Sequence, residues 1–311
     1  MLSGAIFIGV HYMKQRSLAQ AVVFLFLTAS VAFATTPPQH SVFLSNGVKI
    51  HYMTAGEGDP VVLIHGFCAN AQNNWVLPGI FDKLSKHYHV IALDNRGHGA
   101  SGKPHEVDKY GMEMVEDVVR LLDHLKIEKA HIIGYSMGGF ITGALVATHP
   151  ERILSATMGG AGWSQDSDDH TVIDALAKSL DEGNGITPLM KALTPPGRPQ
   201  LSEQELKTRN QFVMLANDPK ALSACIRGML KLHIARETLQ KNKVPVLAVV
   251  GDLDPLKKGV DAMDGVLSNL TVVIVKGGDH MSTIRSHVFE QSIEDFLAAH
   301  SKHPATASAS K

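Results

Sequence analysis

The chain has 311 residues, 44% of them hydrophobic and 19% charged, which is ordinary for a globular protein with enough apolar material for a large core. Its formal net charge at pH 7 is only −1, so we do not expect nucleic acid as a partner. No internal repeat is visible in the sequence.

The first 34 residues have the pattern of a secretory signal peptide rather than of a folded element. Lys14 and Arg16 supply a basic start, residues 18–33 are almost wholly apolar, and the three residues ending at Ala34 form a small-x-small cleavage signal. We therefore expect cleavage after Ala34 and export of the mature chain to the periplasm or the medium, with no stable membrane insertion.

Two alternatives for this N-terminal segment stay open. The apolar run could be an uncleaved membrane anchor, although it is short for a spanning helix and contains Gln20, Thr28 and Ser30. Met13 could be the true start in place of Met1, because the basic residues follow it directly. No cysteine lies near the cleavage site, so we do not expect a lipid-modified N terminus.

Residues 35–162 alternate predicted strands with predicted helices. An Asn-Gly turn between two short runs predicts a hairpin, and continuous apolar runs are typical of strands buried on both faces. Apolar residues at helical spacing predict the helices. In chain order, the predicted elements are strands at residues 41–44, 48–53, 60–64 and 90–93, helices at 75–84 and 112–125, a strand at 130–133, a helix at 140–147 and a strand at 153–158. This alternation implies an α/β fold with a mostly parallel central sheet and helices on both faces.

The sequence Gly-Tyr-Ser-Met-Gly at residues 134–138 separates a predicted strand from a predicted helix. Gly-x-Ser-x-Gly in that context is the nucleophile-elbow motif, in which a sharp turn holds the serine at a positive φ. The two positions that flank Ser136 in the motif must be glycine, because side chains there would collide. Gly134 and Gly138 occupy them. The turn also puts Ser136 at a helix N terminus, which favours negative charge. The alternative is a flexible Gly/Ser loop, which does not explain the flanking strand and helix.

Together with the loops at the other strand ends, this motif resembles the α/β-hydrolase fold family over residues 41–300. The resemblance is weakest in residues 163–243, which contain helical patterns and no strand. In this family a helical cap occupies that place, so we interpret the segment as a cap over the strand ends. Three helices are predicted in it, at residues 169–180, 202–216 and 218–230. A Ser-x-x-Glu capping box begins the second helix and Asp-Pro begins the third.

The strand pattern resumes in residues 244–301, the second part of the predicted hydrolase core. Strands are predicted at 244–250 and 270–275, followed by a last helix at 289–299. Residues 302–311 are small and polar, and we expect them to be disordered.

A serine hydroxyl is a weak nucleophile until a base removes its proton, and the base needs a third group to orient it. Asp254 and His280 each follow a predicted strand, in the chain order Ser, Asp, His that this fold uses. We therefore predict a catalytic triad of Ser136, Asp254 and His280. Asp252 follows the same strand as Asp254, but the family pattern of Gly, two variable residues and Asp favours Asp254.

The oxyanion that forms during acyl transfer needs fixed donors, usually backbone N–H groups. One donor is expected at Met137, directly after the nucleophile. The resemblance implies that the other is Phe67, which follows a His-Gly pair at a strand end. By the same resemblance His65 and His98 hold positions that brace loops, and we assign them no catalytic role.

Several related chemistries fit the sequence less well. Haloalkane dehalogenases and epoxide hydrolases of this fold use an Asp nucleophile, whereas position 136 is Ser, and residues 163–243 contain no cap tyrosine. Family prolyl aminopeptidases carry Trp where this chain has Met137. We therefore expect a cofactor-free serine hydrolase that cleaves a small-molecule carboxylic ester or a related acyl compound. A C–C bond hydrolase, a lactonase or a perhydrolase with the same triad stays open, as does a non-catalytic ligand-binding protein.

Cys68 and Cys225 are the two cysteines of the chain. The export signal makes a disulfide chemically possible, but the sequence does not show whether they pair, and we favour two unpaired, partly buried thiols. Although the chain contains 17 histidines, no spacing of His, Cys and Asp matches a metal site, so we predict none.

Overall fold

The structure is a computed structural model that describes residues 37–163 and 170–301. The predicted signal peptide with its cleavage site and the predicted disordered tail lie outside the described residues.

Within these described residues, eight strands form one sheet in the spatial order β1-β2-β4-β3-β5-β6-β7-β8. Their bounds are β1 Gln39–Ser45, β2 Val48–Ala55, β3 Pro60–Ile64, β4 His89–Leu93, β5 Ala130–Tyr135, β6 Ile153–Gly159, β7 Val246–Gly251 and β8 Leu270–Val275. The β1–β2 and β2–β4 pairs are antiparallel, and every other pair is parallel. The predicted mostly parallel α/β fold is confirmed, and each predicted strand is present.

Helices lie on both faces of this sheet. Successive strand residues point to opposite sides, so each face has apolar side chains that a helix layer covers. On β3, for example, Val62 and Ile64 belong to one hydrophobic cluster and Val61 and Leu63 to the other, and all four are fully buried. The ten α-helices within the described residues are α1 Ile80–Leu84, α2 Met112–His124, α3 Met137–Thr148, α4 Thr171–Asp181, α5 Thr187–Ala192, α6 Glu203–Ala216, α7 Pro219–Gly228, α8 Arg236–Lys241, α9 Lys257–Asp261 and α10 His287–His300.

The single helix predicted over residues 75–84 is wrong. A π-helical turn covers Gln72–Val76, and α1 begins only after a break in the chain direction. Gly79 sits in the break with φ of +87°, in the left-handed region, and Pro78 before it has no N–H to continue a helix.

Helices α4 to α8 are inserted between β6 and β7, where the sequence indicated helices without strands. The Ser202 side chain accepts from the Glu205 backbone N–H and Glu205 reaches back, so the predicted capping box of α6 is formed. Asp218 caps α7 as predicted, although α7 ends at Gly228 and a 3₁₀ turn follows. The short helices α5 and α8 were not predicted.

The inserted helices have an apolar cluster of their own. Its buried members are Leu176, Ala177, Leu180, Ile186, Leu222 and Ile226. Phe67 and Met229 border both this cluster and the main core. These two side chains therefore mark the seam at which the insertion meets the sheet domain.

Candidate active site

The turn between β5 and α3 has the geometry that the glycine pattern predicts. Ser136 has φ of 54° and ψ of −118°. A Cβ atom at Gly134 would lie 2.0 Å from the carbonyl oxygen of Gly138, and one at Gly138 would lie 2.0 Å from the carbonyl oxygen of Ile64. Both positions therefore exclude any side chain, and the strained serine is held where β5 ends.

His280 lies in the loop after β8 and contacts both other predicted triad residues. Its Nε2 is 2.9 Å from Oγ of Ser136, and its Nδ1 is 2.8 Å from Oδ2 of Asp254. His280 and Asp254 are each only 4% exposed. A carboxylate accepts only, so Nδ1 carries the proton that it donates, and in the neutral ring Nε2 is left to accept from the serine hydroxyl.

The two neighbouring carboxylates after β7 have different surroundings. The second oxygen of Asp254 accepts the backbone N–H of Leu256 at 2.9 Å, which fixes the carboxylate beneath His280. Asp252 instead accepts the N–H of Gly277 at 2.6 Å and lies 3.2 Å from Nζ of Lys276. The structure thus brings Asp254 to the histidine and leaves Asp252 as a loop contact.

Two residues that the sequence analysis did not single out adjoin His280: Tyr135 binds it and Gly160 leaves room for its ring. The Tyr135 hydroxyl donates to the backbone carbonyl of His280 at 2.6 Å, and the two rings are 5.6 Å apart. Gly160 has φ of +54°, and a Cβ atom there would lie 3.2 Å from Cε1 of His280 and 2.9 Å from the Tyr135 ring. Burial raises the pKa of Tyr135, so its hydroxyl remains a neutral donor.

The loop after β3 lies against the elbow. A Cβ atom at Gly66 would be 3.3 Å from that of Ser136, and the Gly66 N–H donates to Oδ1 of buried Asn74 at 3.0 Å. Phe67 is the next residue of this loop. Among the described residues, no backbone hydrogen bond uses the N–H of Phe67 or of Met137.

His65 and His98 support this loop from below. The Asn95 N–H donates to Nε2 of His65 at 2.9 Å, so Nδ1 of His65 carries the proton and donates to the Gly66 carbonyl at 2.8 Å. Burial lowers the pKa of His65 and lowers that of His98 to about 3, which keeps both rings neutral. The His98 ring also packs edge-on against Phe67, at 5.7 Å between ring centres.

Both cysteines are free thiols close to the site. Cys68 is half-buried with φ of +59°, and Cys225 is buried with its sulfur 3.7 Å from that of Met137. Burial raises the pKa of both thiols, so neither forms a reactive thiolate at neutral pH.

Within residues 37–163 and 170–301, no group of three or more His, Cys, Asp or Glu side chains is arranged to hold a metal ion. No helix in the same part of the chain is long and apolar enough to cross a membrane.

An alpha/beta hydrolase fold family model matches residues 59–183. The 3-oxoadipate enol-lactonase 2 of Acinetobacter baylyi is 30% identical over 226 residues, which cover 69% of this chain and 79% of that protein. This chain belongs to the α/β-hydrolase fold family. A second relative, the dihydrolipoyllysine-residue acetyltransferase component of the acetoin cleaving system of Pseudomonas putida, is 30% identical over 251 residues, which cover 79% of this chain and 64% of that protein.

Two solved structures are similar to this chain over more than four fifths of its length. Est816, described as an N-acyl homoserine lactone degrading enzyme, is 25% identical with a TM-score of 0.68, covering 82% of this chain and 100% of its own. The 2-hydroxy-6-oxo-6-phenylhexa-2,4-dienoate hydrolase of a Rhodococcus strain is 26% identical with a TM-score of 0.64, covering 85% of this chain and 98% of its own.

Proposed function

We propose that this protein is a serine hydrolase that cleaves carboxylic esters of small molecules through an acyl-enzyme on Ser136. The observation that carries the proposal is the continuous row of hydrogen bonds from Ser136 through His280 to Asp254, with the serine held at an elbow. In this hydrogen-bonded chain the neutral histidine can accept the serine proton, and the carboxylate orients the histidine, which is the arrangement that activates a serine hydroxyl.

In the first half of the reaction, Oγ of Ser136 attacks the ester carbonyl carbon and its proton passes to Nε2 of His280. The imidazolium that forms is stabilised by the Asp254 carboxylate. The carbonyl oxygen becomes an oxyanion and accepts the backbone N–H groups of Phe67 and Met137. The carbon–oxygen bond to the alcohol then breaks, and the His280 proton goes to the departing alcohol oxygen.

In the second half, a water molecule takes the place of the alcohol. His280 removes one proton from the water while its oxygen attacks the acyl carbon. The second tetrahedral intermediate collapses with the proton returned to Oγ of Ser136, which releases the carboxylic acid. The same groups act as base and then as acid in each half, so the site requires no cofactor.

The inserted helices serve in this proposal as a cap that shapes the substrate-binding cleft. The support for it is the seam at Phe67 and Met229, because Phe67 is also a proposed oxyanion donor. Apolar side chains at the seam favour an acyl group or alcohol of apolar character.

The second candidate is hydrolysis of lactones or of a C–C bond next to a carbonyl. The specific support is that an enol-lactonase and a dienoate hydrolase are among the relatives. A lactone is a cyclic ester, so the proposed steps apply to it unchanged except that the alcohol remains attached to the acyl group.

A fluorophosphonate probe tests the proposal directly. It should label the protein once, at Ser136, and Ser136→Ala should remove both labelling and hydrolysis of p-nitrophenyl esters. Ser292→Ala on α10 is the matched control and should keep both. Labelling that survives Ser136→Ala would contradict the assignment of Ser136 as the nucleophile. A panel of esters and lactones of matched chain length then separates the two candidates.

A further inference from the structure

Strand β8 ends the sheet on one side and pairs only with β7. The Asp252 N–H donates to the carbonyl of Val275 at 3.1 Å, so the backbone groups of Val275 face β7. Backbone groups of successive strand residues point to alternate edges, so those of Leu270, Val272 and Ile274 point away from the sheet. In the part of the chain that the structure describes, these outward N–H and C=O groups have no hydrogen-bond partner.

The side chains of β8 are apolar up to this free edge. The strand reads Leu-Thr-Val-Val-Ile-Val, and Val272 and Ile274 are 41% and 39% exposed. Val273 and Val275 point to the other face, where they belong to the apolar cluster that includes α10 side chains. Edge strands are usually protected from pairing by a charged side chain, a proline or a bulge. Strand β8 contains none of the three.

The edge strand on the other side of the sheet is better protected. Val42 and Leu44 of β1 are exposed, but Lys49 of β2 is paired with Leu44 and places a charge on the same face. Pro37 and Pro38 precede β1 directly, and a proline cannot donate a backbone hydrogen bond to a partner strand. Of the two edges, β8 is therefore the one that is open to strand pairing.

The sequence of β8 is complementary to itself when two copies run antiparallel. The three residues with outward backbone groups are centred on Val272. A twofold axis at Val272 pairs this residue with itself and pairs Leu270 with Ile274 of the other copy. Each such pair exchanges two N–H···O=C bonds, so every outward group of both strands gains a partner. All cross-strand neighbours on that face are then aliphatic, which stabilises the pairing further.

The same register keeps like charges apart. Lys276 follows β8 and lies 3.2 Å from Asp252 of its own chain. In the paired strands it stands opposite Ser268 of the other copy, so no two charged side chains face each other near the axis. An unrelated peptide would need the same apolar alternation and the same spacing, whereas a second copy of this chain already has both.

We infer that two copies of this chain associate through antiparallel pairing of β8 with β8 about Val272, which joins their sheets into one continuous sheet. An interface of this kind is isologous, as in most homodimers. It lies at the edge of the sheet and uses no residue of the proposed triad. The inference therefore goes beyond the proposed hydrolase function and does not depend on it.

The test is the mass of the purified protein, measured by analytical ultracentrifugation over a range of concentrations. The wild type should be a dimer. Val272→Lys places two like charges opposite each other at the axis and should raise the dimer dissociation constant by at least about tenfold. Val42→Lys, the same change at an exposed valine of β1, should leave that constant unchanged. Circular dichroism confirms that both variants are folded.

A pair of cysteine variants tests the register. In a hydrogen-bonded antiparallel pair the Cα atoms lie about 5.5 Å apart, within the range that a disulfide spans. Val272→Cys should therefore give a disulfide-linked dimer under mild oxidation. Ile274→Cys is the matched control, because its exposure is similar but its counterpart in the other copy lies several residues away along the paired strand.

Three results would overturn the inference. They are a monomer at every concentration, a dimer that Val272→Lys leaves intact, and equal cross-linking of Val272→Cys and Ile274→Cys. Because the measured quantity is mass and not turnover, a failure here is distinguishable from a failure of the proposed hydrolase activity.

Discussion

At the scale of single residues, Asp254 and Asp252 allow a sharp test because they are two positions apart and differ in what they contact. Asp254→Asn should lower kcat on an activated ester by orders of magnitude, since an amide cannot stabilise the imidazolium or hold the tautomer. The comparable change in a serine protease lowers kcat by about 10⁴. The measurement is kcat on p-nitrophenyl acetate, with circular dichroism to confirm folding.

Asp252→Asn is the matched control. It removes one charge from the same loop but disturbs only the contacts with Gly277 and Lys276, so kcat should stay near the wild-type value. A crippled Asp252→Asn beside an active Asp254→Asn would show that the acid has been assigned to the wrong carboxylate.

At the scale of elements, the seam between the insertion and the sheet domain should govern which acyl chain is accepted. Met229→Ala shortens one of the two side chains that border both apolar clusters. We expect kcat/KM for p-nitrophenyl octanoate to fall by about tenfold relative to the acetate, the scale of a few methylene contacts in a pocket. The ratio of the two kcat/KM values is the measured quantity.

Phe212→Ala serves as the control for that ratio, because Phe212 lies on α6 of the same insertion but is 72% exposed. It should leave the octanoate-to-acetate ratio unchanged. An equal loss on both esters in Met229→Ala would mean that the insertion supports the site structurally and does not select the acyl chain.

The elements that could be predicted are those whose cause is local. An Asn-Gly turn predicted the β1–β2 hairpin, and apolar runs predicted the buried strands. The capping box of Ser202 and Glu205 predicted the start of α6. The helices α5 and α8 have six residues each and no side-chain cap, so the sequence signal for them is weak. Tyr135 could not be predicted as a support of His280, because it donates to a backbone carbonyl in a distant loop, a contact that no sequence motif marks.

At the scale of the whole molecule, buried neutral histidines should make stability fall on acidification. Burial lowers the pKa of His98 to about 3 and that of His131 to about 4, whereas an unfolded histidine has a pKa of about 6.5. Below pH 6.5 the unfolded chain takes up protons that the folded chain does not. The free energy of unfolding should therefore fall by about 1.4 kcal/mol per pH unit for each such histidine, down to about pH 4. Urea unfolding at several pH values between 7.5 and 4.5 measures this slope.

His131→Asn should flatten the slope between pH 6 and pH 5 by about 1 kcal/mol per pH unit, because the variant lacks one of these groups. His287→Gln, at a side chain 79% exposed, should leave the slope as it is. A free energy of unfolding that does not change between pH 7 and pH 5 would contradict the burial of neutral histidines.

The proposed nucleophile and base are 144 residues apart along the chain, and the base follows the last strand of the sheet. When the residues of β5 and α3 have left the ribosome, the elbow sequence has been synthesised, but the proposed acid and base have not. Domains fold as units during synthesis, so Ser136 stays unactivated until β7 and β8 have been made and have docked. Hydrolytic activity would then indicate that the carboxyl-terminal part of the sheet has folded. A chain whose translation stops before β7 would contain Ser136 without the proposed acid and base.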